Sequence, residues 1–328
     1  VLAETTAAAW WSDCLHFYHL TLVMLEMHLS RGAFPQSGMA FLHLGVVALT
    51  RFGQAQFAVD LGSICQDLLY QARDAFSMAR GQMLHACFLG HIHYSMSLSI
   101  SQMEDAIELA SVGGDRMSTI LSYGLCAQAK LFASDNCADL EGFCQYGCED
   151  IPNWSYDTRG GALLIGIRQL CRALQGKTSI HDAVGVMSDE QHDGILYKNW
   201  LMSQTQESNR SSLFYESLEL VALFLFGHYE RAVAIGKACT EKLAMLWSAR
   251  NSKLILLFYG LARSGNLLRN LNDPRSLAED FTTETKDTIE ELRRFVGMME
   301  DWSVVSDVNY RCWSRLLDAQ IAELSTDH

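Results

Sequence analysis

The sequence predicts an all-α fold, a tetratricopeptide-like superhelical array of antiparallel helix hairpins. Three observations predict it. Apolar residues recur at helical spacing along most of the 328 residues, and no useful length of sequence alternates as a strand would. Only three prolines occur, Pro35, Pro152 and Pro274, and proline disrupts helix interiors. A 17-residue segment also recurs within the chain, which is typical of repeat architectures.

The repeated segment reads GQAQFAVDLGSICQDLL at 53–69 and GHYERAVAIGKACTEKL at 227–243. The identical pairs are Gly53/Gly227, Ala58/Ala232, Val59/Val233, Gly62/Gly236, Cys65/Cys239 and Leu69/Leu243. The distance between the copies is roughly five periods of 34–35 residues. The second copy, with Gly227, Tyr229 and Ala232, resembles the turn and second helix of a tetratricopeptide repeat. The first copy has Ala55 in place of the aromatic residue.

Small residues inside both copies predict close helix packing. A glycine inside a helix costs about 1 kcal/mol relative to alanine, so its presence at Gly62 and again at Gly236 indicates a packing reason. Ala58 and Ala232 lie one turn earlier on the same face. The residues predicted to pack the repeats are Gly53, Ala58, Gly62, Gly227, Tyr229, Ala232 and Gly236.

The hydrophobic pattern, taken in order, places helices at about 4–30, 38–51, 55–72, 75–97, 101–112, 116–133, 158–175, 209–226, 229–245, 248–267, 279–299 and 303–324. Gly53 and Gly227 are predicted to end helices in the left-handed conformation, and Asp115 to cap the helix that follows it. We therefore expect one helical-repeat solenoid over 1–328. Its irregular connections are expected near 134–157 and 176–208.

Composition excludes several classes of partner. The formal net charge is −13 and no basic run occurs, whereas nucleic-acid binding needs Lys and Arg to replace phosphate counterions. The longest apolar run, 220–227, is too short for a membrane span, and no signal peptide is recognised. Most of the ten cysteines stand singly in helical patterns, which is typical of reduced thiols in a cytoplasmic protein.

The stretch LCRALQGKTS at 170–179 resembles part of a phosphate-binding loop, G-x-x-x-x-G-K-[ST]. Residues 176–178 supply its last three positions, but Cys171 stands where the first glycine should be. A working loop follows a buried strand, whereas 162–175 has helical spacing. We interpret Gly176 as the end of a helix rather than as part of a nucleotide site.

Clusters of metal-ligating residue types are weak. His85, His91 and His93 stand near Cys87, and His16 and His19 are three apart, yet no Cys-x-x-Cys or His-x-x-x-His pair occurs. Ordinary helix histidines explain them. Cys137, Cys144 and Cys148 are expected on one helical face as a stripe of small residues, with a zinc or redox site as the alternative. No metal or cofactor is predicted.

Catalytic motifs are absent from the sequence, which holds neither a G-x-S-x-G elbow nor a Cys–His pairing in a known context. The chain is therefore predicted not to be an enzyme. Aromatic residues suggest a contact surface instead. Trp154 and Tyr156 lie in the connection 149–161 and either form a binding loop or anchor it, and the pair Trp10 and Trp11 is expected to pack against a neighbouring domain.

Several segments, taken in order, carry a family resemblance: 101–115, 117–125, 167–179, 214–238, 256–265 and 302–324. This series resembles the helical-repeat region of very large signalling proteins of bacteria and fungi. In these, a Ser/Thr-kinase-like domain and an AAA-type ATPase precede the repeats, and a GAF domain and a sensor histidine kinase follow them. The number of cysteines favours the fungal, hybrid-kinase form, which the resemblance associates with stress signalling. The shared motifs are structural, so no catalytic residue is carried over.

The resemblance implies a non-catalytic regulatory scaffold within a multidomain sensor (hybrid histidine) kinase of two-component signal transduction. Its partners would be the flanking domains of the same polypeptide, on the ATPase and kinase sides, or other signalling proteins. Two alternatives remain. One is a free-standing adaptor that binds a basic partner peptide in a concave groove. The other is an all-helical enzyme or small-ligand sensor with a pocket between hairpins, near His85, His91 and His93.

Overall fold

The computed structural model of the chain describes residues 2–12, 14–204, 208–271 and 278–325. Helices make up 77% of the structure, and the described residues contain no strand, so the predicted all-α class is confirmed. Three short 3₁₀ helices lie at Gly90–Ile92, Trp154–Tyr156 and Leu243–Leu246. The α-helices are α1 (Leu2–Ser12), α2 (Cys14–Arg31), α3 (Ser37–Phe52), α4 (Ala55–Ala72), α5 (Ala75–Phe88), α6 (Met96–Val112), α7 (Arg116–Lys130), α8 (Cys137–Tyr146), α9 (Gly160–Leu174), α10 (Gly194–Ser203), α11 (Ser208–Leu225), α12 (Tyr229–Thr240), α13 (Asn251–Leu271), α14 (Ala278–Ser303) and α15 (Arg311–Ser325).

Local capping decides where several helices begin. The predicted cap at Asp115 is confirmed, because its side chain accepts a hydrogen bond from the backbone N–H of Ser118. The helix predicted over 75–97 ends at Phe88, and the helix predicted over 101–112 is α6, which begins earlier because Ser95 caps it by accepting from the N–H of Leu98. Asn136 and Asp193 cap α8 and α10 in the same way, within the regions predicted to be irregular.

The helices pack in two alternating sets. From α3 onward each odd-numbered helix contacts the next odd-numbered helix, as far as α13 on α15. The even-numbered helices contact their sequence neighbours. This is the order expected of a row of helix hairpins in which one helix of each pair lines a common inner face. The tetratricopeptide-like winding of that row stays a prediction.

The repeated glycines lie where the next odd-numbered helix comes very close. A Cβ built on Gly236 of α12 would lie 2.5 Å from Cδ2 of Tyr259 in α13, and one on Gly62 of α4 would lie 2.9 Å from Nε2 of His85 in α5. Such distances leave no room for a side chain. Gly53 and Gly227 follow α3 and α11 with φ of +63° and +77°, the left-handed conformation that glycine adopts without strain.

We expect the substitution Gly236→Ala to lower the free energy of unfolding by about 1–3 kcal/mol, because the added methyl group forces Tyr259 out of its packed position. Gly297→Ala in α14 is the matched control. A Cβ at Gly297 meets no atom within 4 Å, so that change should raise stability by up to about 1 kcal/mol. Urea unfolding of both variants measures the difference. Equal stability of the two would mean that α12 and α13 are farther apart.

The row of hairpins also makes contacts between its beginning and its end. Repeats of a simple solenoid touch only their neighbours. Here the ring of Trp10 lies 5.1 Å from that of Trp247, although the two are far apart in sequence. Nε2 of His91 lies 2.8 Å from the backbone carbonyl oxygen of Ser248, and Asn309 donates to the carbonyl of His91. The array therefore folds back, so that residues of its first third contact residues of its last third.

Candidate functional site

An aromatic cluster lies where Trp10 meets Trp247. The sequence predicted Trp10 as part of a contact surface. Trp10 is only 5% exposed and packs on Phe17, with ring centroids 4.9 Å apart, and on Phe88, at 4.8 Å. The expectation for Trp10 is corrected, because the partner of its ring is the core of this chain rather than a neighbouring domain. The side chain of Trp11 lies outside the described residues.

The second predicted contact surface is partly exposed. Tyr156 is 68% exposed and stands edge-on to Trp200 of α10, with ring centroids 5.9 Å apart. Trp154 is half-buried against the hydrophobic core. Trp154 therefore anchors the connection between α8 and α9, while Tyr156 is accessible.

A cavity of about 250 Å³ lies beside Trp10 on the inner face of the array. Helices α1, α3, α5, α7, α9 and α11 each contribute to its walls, so it is assembled from successive hairpins. The walls are mainly apolar, with side chains that include Met39, Phe76, Met83, Phe88, Leu121 and Phe214. A space of this kind suits an apolar ligand with few polar groups.

Polar groups occupy one side of this cavity. The Arg80 guanidinium binds Glu4 at 2.6 Å and Asp115 at 3.0 Å, and lies 3.9 Å from the centroid of the Phe76 ring. Burial raises the pKa of Asp115, but hydrogen bonds from Ser118 and the charge of Arg80 outweigh it and lower that pKa. The carboxylate of Asp115 is therefore ionised, and the Arg80 guanidinium already has two carboxylate partners within the chain.

His43 is the polar side chain in the cavity wall that lacks part of its hydrogen bonding. It is buried, and burial lowers its pKa to about 3, so the imidazole is neutral near pH 7. Its Nδ1 is buried without a hydrogen-bond partner among the described residues. A neutral imidazole in an apolar wall can bind one polar group of a ligand.

The three histidines predicted near a possible pocket are part of the packed structure. His91 is fully enclosed, and its Nδ1 lies 2.5 Å from the Tyr310 hydroxyl. Burial and, to a smaller extent, the charge of Arg250 lower the pKa of His91 to about 3. Burial lowers the pKa of His85 to about 4. None of the three, His93 included, lines the cavity beside Trp10. Across the described part of the chain, no three His, Cys, Asp or Glu side chains are grouped as metal ligands would be.

The segment that resembles a phosphate-binding loop is a helix end, as predicted. Helix α9 runs to Leu174, and Gly176 follows with φ of +70°. The Lys177 ammonium binds Glu141 at 2.7 Å, and Arg172 joins Glu141 to Asp189 at 2.8 and 2.7 Å. Lys177 thus belongs to an ion-pair network that holds α8 and α9 together.

Two of the cysteines near α8, Cys144 and Cys148, are buried thiols. The helix ends at Tyr146, so Cys148 lies beyond it and does not continue the helical face of Cys137 and Cys144 as expected. Burial raises the pKa of Cys148 to about 12 and that of Cys144 well above its ordinary value. Thiols of this kind stay protonated and are poor nucleophiles.

Comparisons with known protein families, with curated proteins and with solved structures found no match for this chain. None of the helices in the described part of the chain has both the length and the apolar character that a bilayer crossing requires.

Proposed function

We propose that this chain is a non-catalytic regulatory domain that connects other domains of a multidomain sensor (hybrid histidine) kinase. The helical-repeat segments that resemble such proteins support the proposal, as does the all-helical, hairpin-by-hairpin packing. In this role the domain transmits or restrains motion between an ATPase side and a kinase side in the cytoplasm. Packed repeats do this through contact surfaces rather than through chemistry.

A stripe of exposed leucines on α2 carries the proposal. Leu15, Leu22 and Leu29 are 78%, 58% and 81% exposed, and their spacing of seven places them in a line along one side of the helix. Helix α2 packs on α1 and α3, so this leucine stripe faces away from the array. Its spacing fits a helix of a flanking domain, packed side by side on α2.

The inner face favours this proposal over a peptide-binding adaptor. Near the ends of the odd-numbered helices, Arg250 lies over the rings of Phe132, at 4.3 Å, and Trp313, at 4.7 Å, and Trp247 packs on Trp10. Side chains of the chain itself thus occupy surface that a concave peptide groove would need.

We expect the purified chain to bind either the ATPase-side or the kinase-side domain of the proposed parent protein with micromolar affinity. The substitution Leu22→Glu should weaken that binding at least about tenfold, because it places a charge in an apolar contact. Isothermal titration calorimetry measures the affinity.

Leu196→Glu is the matched control, because Leu196 is similarly exposed, at 66%, but lies on α10, far along the sequence from the stripe. It should leave the affinity unchanged. If only Leu196→Glu weakens binding, the contact surface lies near Tyr156 instead. If the chain bound neither domain, the proposed regulatory role would be contradicted.

The cavity beside Trp10 favours a second candidate function, a sensor of a small apolar ligand. Its walls come from six helices, so a bound molecule would alter the packing of several hairpins together. We expect 1-decanol to bind in calorimetry, and Leu121→Trp to abolish binding by filling the cavity. Leu196→Trp, outside the cavity, is the control. Equal binding by both variants would rule out this site.

A further inference from the structure

A second cavity, of about 340 Å³, lies where the beginning of the array meets its end. The last turn of α3, the 3₁₀ helix Leu243–Leu246, and helices α13 and α14 form its walls. Polar side chains of Thr50, Ser252 and Asp301 lie among apolar ones. This cavity is separate from the leucine stripe and from the cavity beside Trp10.

Lys253 is a charged side chain in this wall that is almost fully buried. It is only 6% exposed, and its Nζ lies 4.2 Å from the centroid of the Trp302 ring. Among the described residues, no hydrogen bond or ion pair reaches Nζ. Burial lowers the pKa of Lys253 to about 8, although the charge of Asp301 acts in the opposite direction. An ammonium in a mostly buried wall loses part of its hydration, and cation–π contact with an indole offsets only part of that cost.

A second cation lies at the same cavity. The Arg51 guanidinium lies over the Trp247 ring, 5.1 Å from its centroid, and Nε donates to the Tyr18 hydroxyl at 2.9 Å. Lys253 and Arg51 outnumber the carboxylate of Asp301 in the lining.

The start of the helix that carries Lys253 also favours a negative charge in this cavity. Lys253 lies in the first turn of α13, which begins at Asn251. The positive end of the helix dipole therefore faces the same region and favours a negative charge there. The cationic side chains and the helix start attract an anion. The two indole rings can pack against an apolar part of the same molecule.

We propose that this cavity binds a small organic oxyanion, a carboxylate or a phosphate ester, which accepts hydrogen bonds from Nζ of Lys253. The apolar part of the ligand packs against Trp302 and Trp247. Because the walls come from α3 on one side and from α13 and α14 on the other, a bound anion strengthens the contact between the two ends of the array. The site does not depend on the proposed regulatory role.

The test uses benzoate and phenyl phosphate, which share an apolar ring and differ in the anionic group, with benzyl alcohol as the neutral control. We expect one of the two anions to bind saturably in calorimetry below about 1 mM, and benzyl alcohol not to bind. The anion that binds identifies the ligand class. No saturable binding of either anion up to about 10 mM would overturn the proposal.

Matched variants locate the site. Lys253→Met keeps the length and apolar stem of the side chain, removes the charge, and should weaken binding at least about tenfold. Lys237→Met, at an exposed lysine of α12, should change nothing. Unchanged binding by Lys253→Met would refute the assignment.

A measurement on the unmodified chain covers the case in which a variant does not fold. The rate at which acetic anhydride acetylates Lys253, followed by mass spectrometry near pH 8, should fall at least about fivefold when the cavity is saturated with the bound anion. The rate at Lys237 should stay the same. Equal rates at Lys253 with and without the anion would contradict the proposal.

Discussion

Replacing Trp10 by alanine is expected to lower the free energy of unfolding by about 3–5 kcal/mol, one of the largest single-site effects in this chain. The indole is almost fully buried and contacts rings from three other parts of the chain, Phe17, Phe88 and Trp247. Its loss leaves a void beside an existing cavity and removes the aromatic contact between the two ends of the array. Urea unfolding followed by circular dichroism measures the change.

Tyr156→Ala is the control for this experiment. Tyr156 is another aromatic residue of the predicted contact surface, but it is largely exposed, so its removal should change stability by no more than about 0.5 kcal/mol. Equal stability of the two variants would mean that Trp10 is a surface residue and does not pack against Trp247.

Lowering the pH from about 7 to 5 is expected to destabilise the protein strongly, because three buried histidines and one half-buried histidine are neutral in the folded state. Burial lowers the pKa of His43 and of His91 to about 3, and that of His85 and of His192 to about 4. Their ordinary pKa is near 6.5, so below that pH the unfolded chain binds more protons than the folded one. The stabilisation is complete above about pH 6.5 and is lost as the pH falls toward the folded-state values.

The magnitude follows from the same linkage. Each such histidine removes about 1.4 kcal/mol of stability per pH unit once the pH is well below 6.5. Glu216, whose pKa burial raises, acts in the opposite direction over part of this range. The free energy of unfolding in urea at several pH values between 7 and 5 measures the total.

The variant His43→Leu isolates one contribution. It should reduce the pH dependence by the share of one histidine, since leucine keeps most of the volume and does not titrate. Lys177→Met, in an ion-pair network at the surface, should keep the full pH dependence. An unchanged slope in His43→Leu would mean that His43 is accessible to protons in the folded state.

Local features of the sequence were enough to predict most helices. Helix α4, predicted over 55–72, spans Ala55–Ala72, because a left-handed glycine at Gly53 ends the preceding helix and apolar residues recur at helical spacing. Asp115 and Gly176 were interpreted correctly for the same reason. Caps and helix ends depend on residues a few positions apart, which a single sequence displays directly.

Errors in the helix limits came from weaker local signals. The 3₁₀ turn Gly90–Ile92 interrupts the pattern that predicted one helix over 75–97. Helix α15 begins at Arg311 rather than at 303, because α14 continues to Ser303 and a turn follows. Between α14 and α15, Val304 and Val308 are exposed, so the apolar residues there do not mark a buried helical face.

By itself the sequence therefore determined the all-α class, the positions of most helices and the helix end at Gly176. Only the tertiary structure placed Trp10 in the core, joined His91 to Ser248, and put Lys253 in a cavity with Arg51. The reason is physical. Helix formation and capping depend on neighbours within a turn or two, whereas burial of a ring or a charge depends on where the array curls back on itself. That closure brings together residues far apart in the sequence, and no local pattern records it.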